Sequence, residues 1–369
     1  MMAVIPFFKK LAAPFFSWRL GGRPNAVVGI DIGAWSTKVV QLRYAGERAI
    51  LETYGELLNE GYFKGAQATG SGFLRYSDAD IAALLKDVIR EVKVTSRDAI
   101  FSIPAASSFV ITVALPRLSY KEIEQAVPFE ARKYVPVPLS EVVLDWDILE
   151  TDEERGTIEV LLVVVPKEIL EKFKRIASLA GLSLRAVEVE VISAVRSLAG
   201  NELIPLALVI LGHQTTTLTV VDKGRVRRSH HFTRGSQEIT AALERGLGIE
   251  RPRAETLKRE IGVSERIEER ETSSLIEPFL DTLFAELGRV TAGYNRRASR
   301  KIQRIILAGG GANLKGIVEI AATHFGIEVA RGNPFSRVVA PAFLQPALRE
   351  IGPGFAIATG LALREIASR

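Results

Sequence analysis

Gly29-Ile30-Asp31-Ile32-Gly33-Ala34-Trp35-Ser36-Thr37 lies inside an apolar, β-branched run over residues 26–42. The pattern predicts a strand, a tight turn and a second strand. A second stretch, Leu208-Val209-Ile210-Leu211-Gly212-His213-Gln214-Thr215-Thr216, lies inside the comparable run 206–221, which is followed by the turn Asp222-Lys223-Gly224. Aligned without gaps, the two stretches share the glycine and the pair of hydroxyl residues. One motif used twice, far apart in the chain, predicts two domains of similar topology rather than a solenoid.

Working outward, residues 99–103, 109–114, 158–165 and 184–189 read as strands. Residues 119–134 carry a cap, an early acid and apolar positions at helical spacing, and 167–180 form a helix ending at Gly181. In the second half, helices are expected over 236–246, 253–260 and 274–298, then an apolar strand at 304–308 and the turn Gly309-Gly310-Gly311. Residues 354–366 read as a helix rich in small residues. Strands alternating with helices give an α/β class with mixed sheets.

Composition narrows the chemistry. The 369 residues are enough for two domains, and the chain has no cysteine, so disulfides, thiolate zinc sites and thiol nucleophiles are excluded. The four histidines, His213, His230, His231 and His324, do not fall at metal-ligand spacing. A net charge of +5 from dispersed basic residues argues weakly for an anionic partner, and no nucleic-acid role is assigned. No apolar run is long enough to span a bilayer. Residues 1–22 are rich in phenylalanine, free of acids and broken by Pro6 and Pro14. They read either as a tail whose aromatics dock on the body or as a short amphipathic membrane contact using Lys9, Lys10 and Arg19.

A hairpin turn of glycine and hydroxyl residues aims backbone N–H groups and hydroxyls at one point, which makes an anion cradle. Gly33 allows close approach, Ser36 and Thr37 can donate, Lys38 adds positive charge, and Asp31 can hold Mg²⁺ through water. Asp-Ile-Gly alone is a common tripeptide. Its near copy and the later glycine triplet strengthen the reading.

Asp31-Ile-Gly-x-x-Ser-x-Lys38 resembles the first phosphate motif of the actin-like ATPases, Leu211-Gly-x-x-Thr-Thr216 the second, and Ile305-Ile-Leu-Ala-Gly-Gly-Gly-Ala-Asn313 the adenosine motif. Within that superfamily, three further stretches resemble the PilM family of type IV pilus assembly proteins. They are Ala126-Val-Pro-Phe-Glu-Ala-Arg-Lys-Tyr-Val-Pro136 with Glu141-Val-Val-Leu-Asp145, Asn333-Pro-Phe335, and Gly354-Phe-Ala-Ile-Ala-Thr-Gly-Leu-Ala-Leu363. The resemblance implies an actin-like (ribonuclease H-like) two-domain fold with an inserted α+β subdomain. Residues 26–115 and 183–200 would form the first domain, 116–182 the insert, 201–369 the second domain, and 1–25 a flexible or membrane-proximal segment.

It also implies an ATP site. Asp31, Gly33, Ser36, Thr37 and Lys38 would contact phosphates and magnesium, while Gly212, Thr215 and Thr216 would close from the other domain. Glu190 would orient the attacking water or else cap the following helix. Glu255 and Lys258, neighbours on one helical face, would touch ribose and adenine or form an ordinary salt bridge. Gly309, Gly310, Gly311 and Asn313 would border the nucleoside, and Gly235 the ribose.

Three positions depart from the family pattern. Ile210 stands where the second motif normally starts with aspartate, Val191 where a proline often follows the acid, and Arg234 where a Gly-Gly turn is common. Arg234 would crowd the nucleotide or pair with its phosphates. Ile210 cannot hold hydrated magnesium, so binding is expected without fast hydrolysis. The implied role is a cytoplasmic scaffold at the inner face of the membrane, binding the tail of a PilN-like inner-membrane protein and, less directly, other platform and motor proteins. Residues 134–145 are a candidate groove wall, and residues 1–19 could mimic the tail and block it. An actin-fold kinase would need an acceptor-site base, which the sequence does not offer. An FtsA-like divisome tether would need a C-terminal amphipathic helix, and the cytoplasmic part of GspL would continue into a transmembrane segment.

Overall fold

The computed structural model describes residues 25–63, 76–153, 156–200 and 202–367. The N-terminal segment expected to touch a membrane or occupy a partner groove lies, through residue 24, outside the described residues.

The opening stretch forms β1 (Ala26–Ile32) and β2 (Ser36–Ala45), and β3 (Arg48–Leu58) extends the hairpin into a three-stranded meander. β4 (Asp98–Ile103) and β8 (Ser183–Val189) add in parallel, giving the order β3-β2-β1-β4-β8. The second half builds its own sheet in the same way. β9 (Leu206–Leu211), β10 (Thr216–Asp222) and β11 (Arg225–Phe232) make the meander. β12 (Arg304–Ala308) and β13 (Glu328–Arg331) complete the order β11-β10-β9-β12-β13.

Parallel neighbours require crossovers, and helices supply them. Before β4 stands α1 (Asp78–Glu91), started by the Ser77 hydroxyl accepting from the Asp80 amide at 3.0 Å. Before β8 stands α3 (Lys167–Ala180), stopped by Gly181 at φ 74°. Both bury apolar faces against β1 and β4, with Leu85 and Phe173 meeting Ile30 and Phe101. In the second half, α5 (Gln237–Leu247), α6 (Arg251–Glu260) and α7 (Arg270–Asn295) precede β12, and α8 (Ile317–Phe325) precedes β13. Leu243, Leu280 and Phe284 pack there against Val209, Leu218 and Leu307.

The two sheets are joined by α4 (Glu190–Leu198) and α10 (Ala356–Ala362). The small residues of α10 are required by contact. A Cβ at Gly29 of β1 would lie 2.1 Å from the Ala358 carbonyl oxygen, and one at Gly360 would lie 1.8 Å from that of Ser193. Val27, Ile100 and Ala194 of the first half share this core with Leu206, Leu208, Ile210 and Ile306 of the second. The expected helix over 354–366 is interrupted at Leu363, so α10 is flanked by α9 (Gln345–Ile351) and α11 (Arg364–Ala367).

Between β4 and α3 the chain builds a third, antiparallel sheet in the order β5-β7-β6, from β5 (Phe109–Pro116), β6 (Val142–Asp152) and β7 (Thr157–Pro166). α2 (Tyr120–Ala131) joins it, its first turn fixed by the Glu122 carboxylate accepting from the Ser119 amide at 2.7 Å. Ile123, Val127, Trp146, Leu162 and Val164 form a separate core. This sheet also leans on the second half, where Arg227 is 3.1 Å from Glu150 and 3.3 Å from Glu159.

Candidate functional site

The two repeated stretches fold into matching turns. The Gly33 amide donates to the Ser36 carbonyl at 3.0 Å, and the Gly212 amide to the Thr215 carbonyl at 2.9 Å. A Cβ on either glycine would lie 2.9 Å from the same carbonyl of its own turn. The turns belong to different sheets yet meet, with the Trp35 and His213 rings 4.8 Å apart. The Trp35 indole N–H is buried without a protein acceptor.

The hydroxyl pairs divide their labour. Thr37 and Thr216 are fully buried. The Thr37 hydroxyl donates to Asn59 at 3.0 Å, and that of Thr216 donates to the Arg234 carbonyl at 2.8 Å. Both therefore brace the turns. Asn59 also donates to the Gly33 carbonyl at 2.8 Å, and its amide donates to the Trp35 carbonyl at 3.0 Å, so this one residue holds the whole first turn. Sequence reasoning missed Asn59, which follows β3 without a motif of its own.

Below the first turn, the strand register sets Asp31 opposite Lys38, and Lys38 opposite Glu56. The Lys38 ammonium lies 2.7 Å from the Ser36 hydroxyl and 3.1 Å from the Glu56 carboxylate. Asp31 is buried and accepts from the Ser102 hydroxyl at 2.7 Å. Burial raises its pKa above the usual carboxylate value, against the pull of Lys38. Glu190, the first residue of α4, is pushed up to about 7, by burial and then by the charge of Asp31. The Ala105 amide and the Thr217 hydroxyl oppose that shift. Glu190 thus faces Asp31 from its own half and Thr217 from the other.

On the second side, Ile210 takes the place corresponding to Asp31 and is buried in the core shared by the two sheets. The nearby helix α6 carries Glu255 and Lys258, three residues apart and 2.6 Å from each other. Lys258 also reaches the Thr240 hydroxyl at 2.9 Å, and Arg259 reaches Glu255 at 2.9 Å. Burial works to raise the Glu255 pKa, but Lys258, Thr240 and Arg259 hold it down to about 2. His213 is kept neutral, its pKa lowered to about 4 by burial and by the charge of Lys258. The α6 pair is therefore brought to the second turn.

The glycine triplet follows β12. A Cβ on Gly309 would lie 2.4 Å from the Leu211 carbonyl oxygen and one on Gly311 2.3 Å from the Leu211 side chain, whereas Gly310 meets nothing within 4 Å. Two glycines let the loop close on β9, and Gly310 leaves an open wall. Gly235 serves the second turn, since a Cβ there would lie 2.4 Å from the His213 carbonyl oxygen. The Asn313 side-chain Oδ1 accepts from Arg331 at 2.7 Å. Arg234, read as crowding the nucleotide or pairing with its phosphates, has its guanidinium 3.0 Å from Glu238, 3.8 Å from Glu286 and above the Phe279 ring.

Among the described residues, no group of three or more acids and histidines is arranged to hold a metal. One or two carboxylates completed by water and phosphate oxygens is a donor set that suits magnesium, and Asp31 beside Glu190 fits it. No described helix is long and apolar enough to cross a membrane.

A family model for the type IV pilus assembly protein PilM matches residues 29–366. The chain is similar to a solved PilM–PilN type IV pilus biogenesis complex, with a TM-score of 0.79 and 23% identity over 93% of this chain and 98% of that one. It is also similar to the ethanolamine utilization protein EutJ from Carboxydothermus hydrogenoformans, with a TM-score of 0.57 and 16% identity over 92% of this chain and 90% of that one. MreB5 of Spiroplasma citri bound to AMPPNP gives a TM-score of 0.51 and 12% identity over 92% and 95%. The fold is actin-like.

Proposed function

The chain belongs to the type IV pilus assembly protein PilM family, and on that premise we propose that it is an ATP-binding scaffold with slow or absent hydrolysis. One observation carries this reading. Two congruent turns, one from each sheet, face each other, and only the first has a carboxylate on its leading strand, since Ile210 holds in β9 the place that Asp31 holds in β1. Ser36, Lys38 and the turn amides would take the phosphates from one side, and Gly212 and Thr215 from the other. Gly310 and the Glu255–Lys258 pair would border the nucleoside. Asp31 and Glu190 would hold magnesium, which neutralises phosphate charge when bound. Phosphoryl transfer rests on positioning and charge, so a missing carboxylate weakens turnover far more than affinity.

The partner in this reading is the cytoplasmic tail of a PilN-like membrane protein, a reading supported by the similarity to a solved PilM–PilN complex. The three-stranded subdomain supports it, because Phe129, Tyr134 and Val137 leave apolar surface exposed there, and tail docking uses an apolar groove with few polar groups. The protein would then work in the cytoplasm, at the inner face of the membrane, next to the other platform and motor proteins.

The test is calorimetric titration of nucleotide-stripped protein with Mg-ATP, with ATP alone, and with the tail peptide. Binding of all three without multiple turnover is expected. Turnover that Asp31→Ala abolishes would overturn the hydrolysis reading, absent ATP binding the nucleotide reading, and absent peptide binding the partner reading.

A further inference from the structure

Lys38 is the cation of the first turn, and it is already engaged. Strand pairing puts Asp31 on one side of it and Glu56 on the other, so a carboxylate–ammonium–carboxylate row runs across β1, β2 and β3. The Glu56 contact is direct, at 3.1 Å, while the same ammonium reaches the Ser36 hydroxyl at 2.7 Å. Lys38 is mostly buried, its side chain 13% exposed, whereas that of Glu56 is 41% exposed. Burial disfavours the charged form of Glu56, yet Lys38, the Ser36 hydroxyl and Arg259 hold its pKa below the usual carboxylate value. Arg259 belongs to α6 of the other half, so Glu56 interacts with both sides of the cleft.

The two side chains that the first turn would offer to a phosphate, Lys38 and Ser36, are therefore both engaged by one internal anion. We propose that Glu56 is a built-in counter-ion, which an incoming nucleotide phosphate must displace from Lys38 and Ser36. The proposal rests on the nucleotide reading of the cleft and adds a determinant of affinity to it. An ordinary cross-strand ion pair would contribute a small amount to stability and nothing to ligand choice. A counter-ion instead opposes anionic ligands selectively. Its removal favours ADP over adenosine, because only ADP competes for the ammonium.

The experiment is titration of full-length wild type, Glu56→Gln, Lys38→Met and the double variant with Mg-ADP, magnesium-free ADP and adenosine. Glu56→Gln is expected to tighten both forms of ADP about ten-fold, since the phosphate no longer has to break the Lys38–Glu56 ion pair, and to leave adenosine unchanged. In the Lys38→Met background the gain should vanish. An equal gain there, or an equal change with adenosine, would overturn the proposal by making the effect one of general charge or structure. Weaker Mg-ADP binding with unchanged magnesium-free binding would overturn it by assigning Glu56 to the metal. If wild type binds ADP and Glu56→Gln binds it no better, the counter-ion fails while the nucleotide reading stands. No binding of ADP by either protein would overturn both.

Discussion

The same sheet position carries opposite chemistry in the two halves. Across β1, β2 and β3 the row beneath the first turn reads Asp31, Lys38, Glu56, and across β9, β10 and β11 it reads Ile210, Thr217, His231. The Thr217 hydroxyl is 3.4 Å from the His231 ring, and burial lowers the pKa of that histidine. One row is ionic and the other uncharged near neutral pH, although their turns close with the same hydrogen bond. Turn geometry is thus set by glycine and strand pairing, while the charges beneath it vary independently. The second row is also where the halves are joined, since Ile210 lies in their common core.

The hardest test of this contrast is Ile210→Asp. If the site were merely a lost metal position, the aspartate would be tolerated and turnover would rise. Because Ile210 is enclosed by apolar residues of both halves, we expect the carboxylate to cost about 3–5 kcal/mol of stability without gain in turnover. Urea unfolding monitored by circular dichroism, with a phosphate-release assay, reads both. A stable, active variant would show that the second row faces the ligand as the first does.

The next effect comes from Glu190, which sits between the rows. Its carboxyl titrates near 7 in the folded protein against 4.5 in the unfolded chain. A raised folded pKa means that the native state binds the proton more tightly. Its stabilising contribution is complete below about pH 4.5 and is lost as pH rises through 7. His213 runs the other way, its folded pKa lowered to about 4, so raw stability profiles mix the two. The difference between Glu190→Gln and wild type isolates the acid. The variant should gain roughly 2–3 kcal/mol relative to wild type between pH 4.5 and pH 8. A flat difference would mean that Glu190 is solvated and not coupled to Asp31.

Much of this was legible in the sequence because the glycines, hydroxyl pairs and β-branched runs act locally. The matched turns, the α/β alternation and the crowded helix near the C-terminus all follow from short patterns. What stayed hidden depends on register or on contacts between distant segments. Glu56 lies in a strand that the pattern reading passed over, and only pairing with β2 sets it against Lys38. Asn59 likewise has meaning only once the chain returns beside the first turn. The carboxylates that Arg234 meets, Glu238 and Glu286, lie on two different helices, so its ion pairs had no local signature. The departure at Ile210 was visible as a lost charge, but its place in a core shared by both halves was not.

The smallest effect is the contact between the turns themselves. Trp35 and His213 are the only ring pair tying the two turns among the described residues, with centroids 4.8 Å apart and planes tilted by 37°. Neither ring is deep in a core, so truncation should cost little: about 0.5–1 kcal/mol of coupling in a cycle of Trp35→Leu and His213→Ala. The contact nevertheless reports on the comparison more directly than stability does. If the turns close on one ligand, Mg-ADP should move them together and change Trp35 emission, and His213→Ala should alter that change. Trp146 lies in the separate core of the three-stranded subdomain and Trp18 outside the described residues, so the Trp35→Leu variant supplies the background to subtract. Emission that responds to ADP identically with and without His213 would mean that the two turns act separately, and that their resemblance is one of backbone alone.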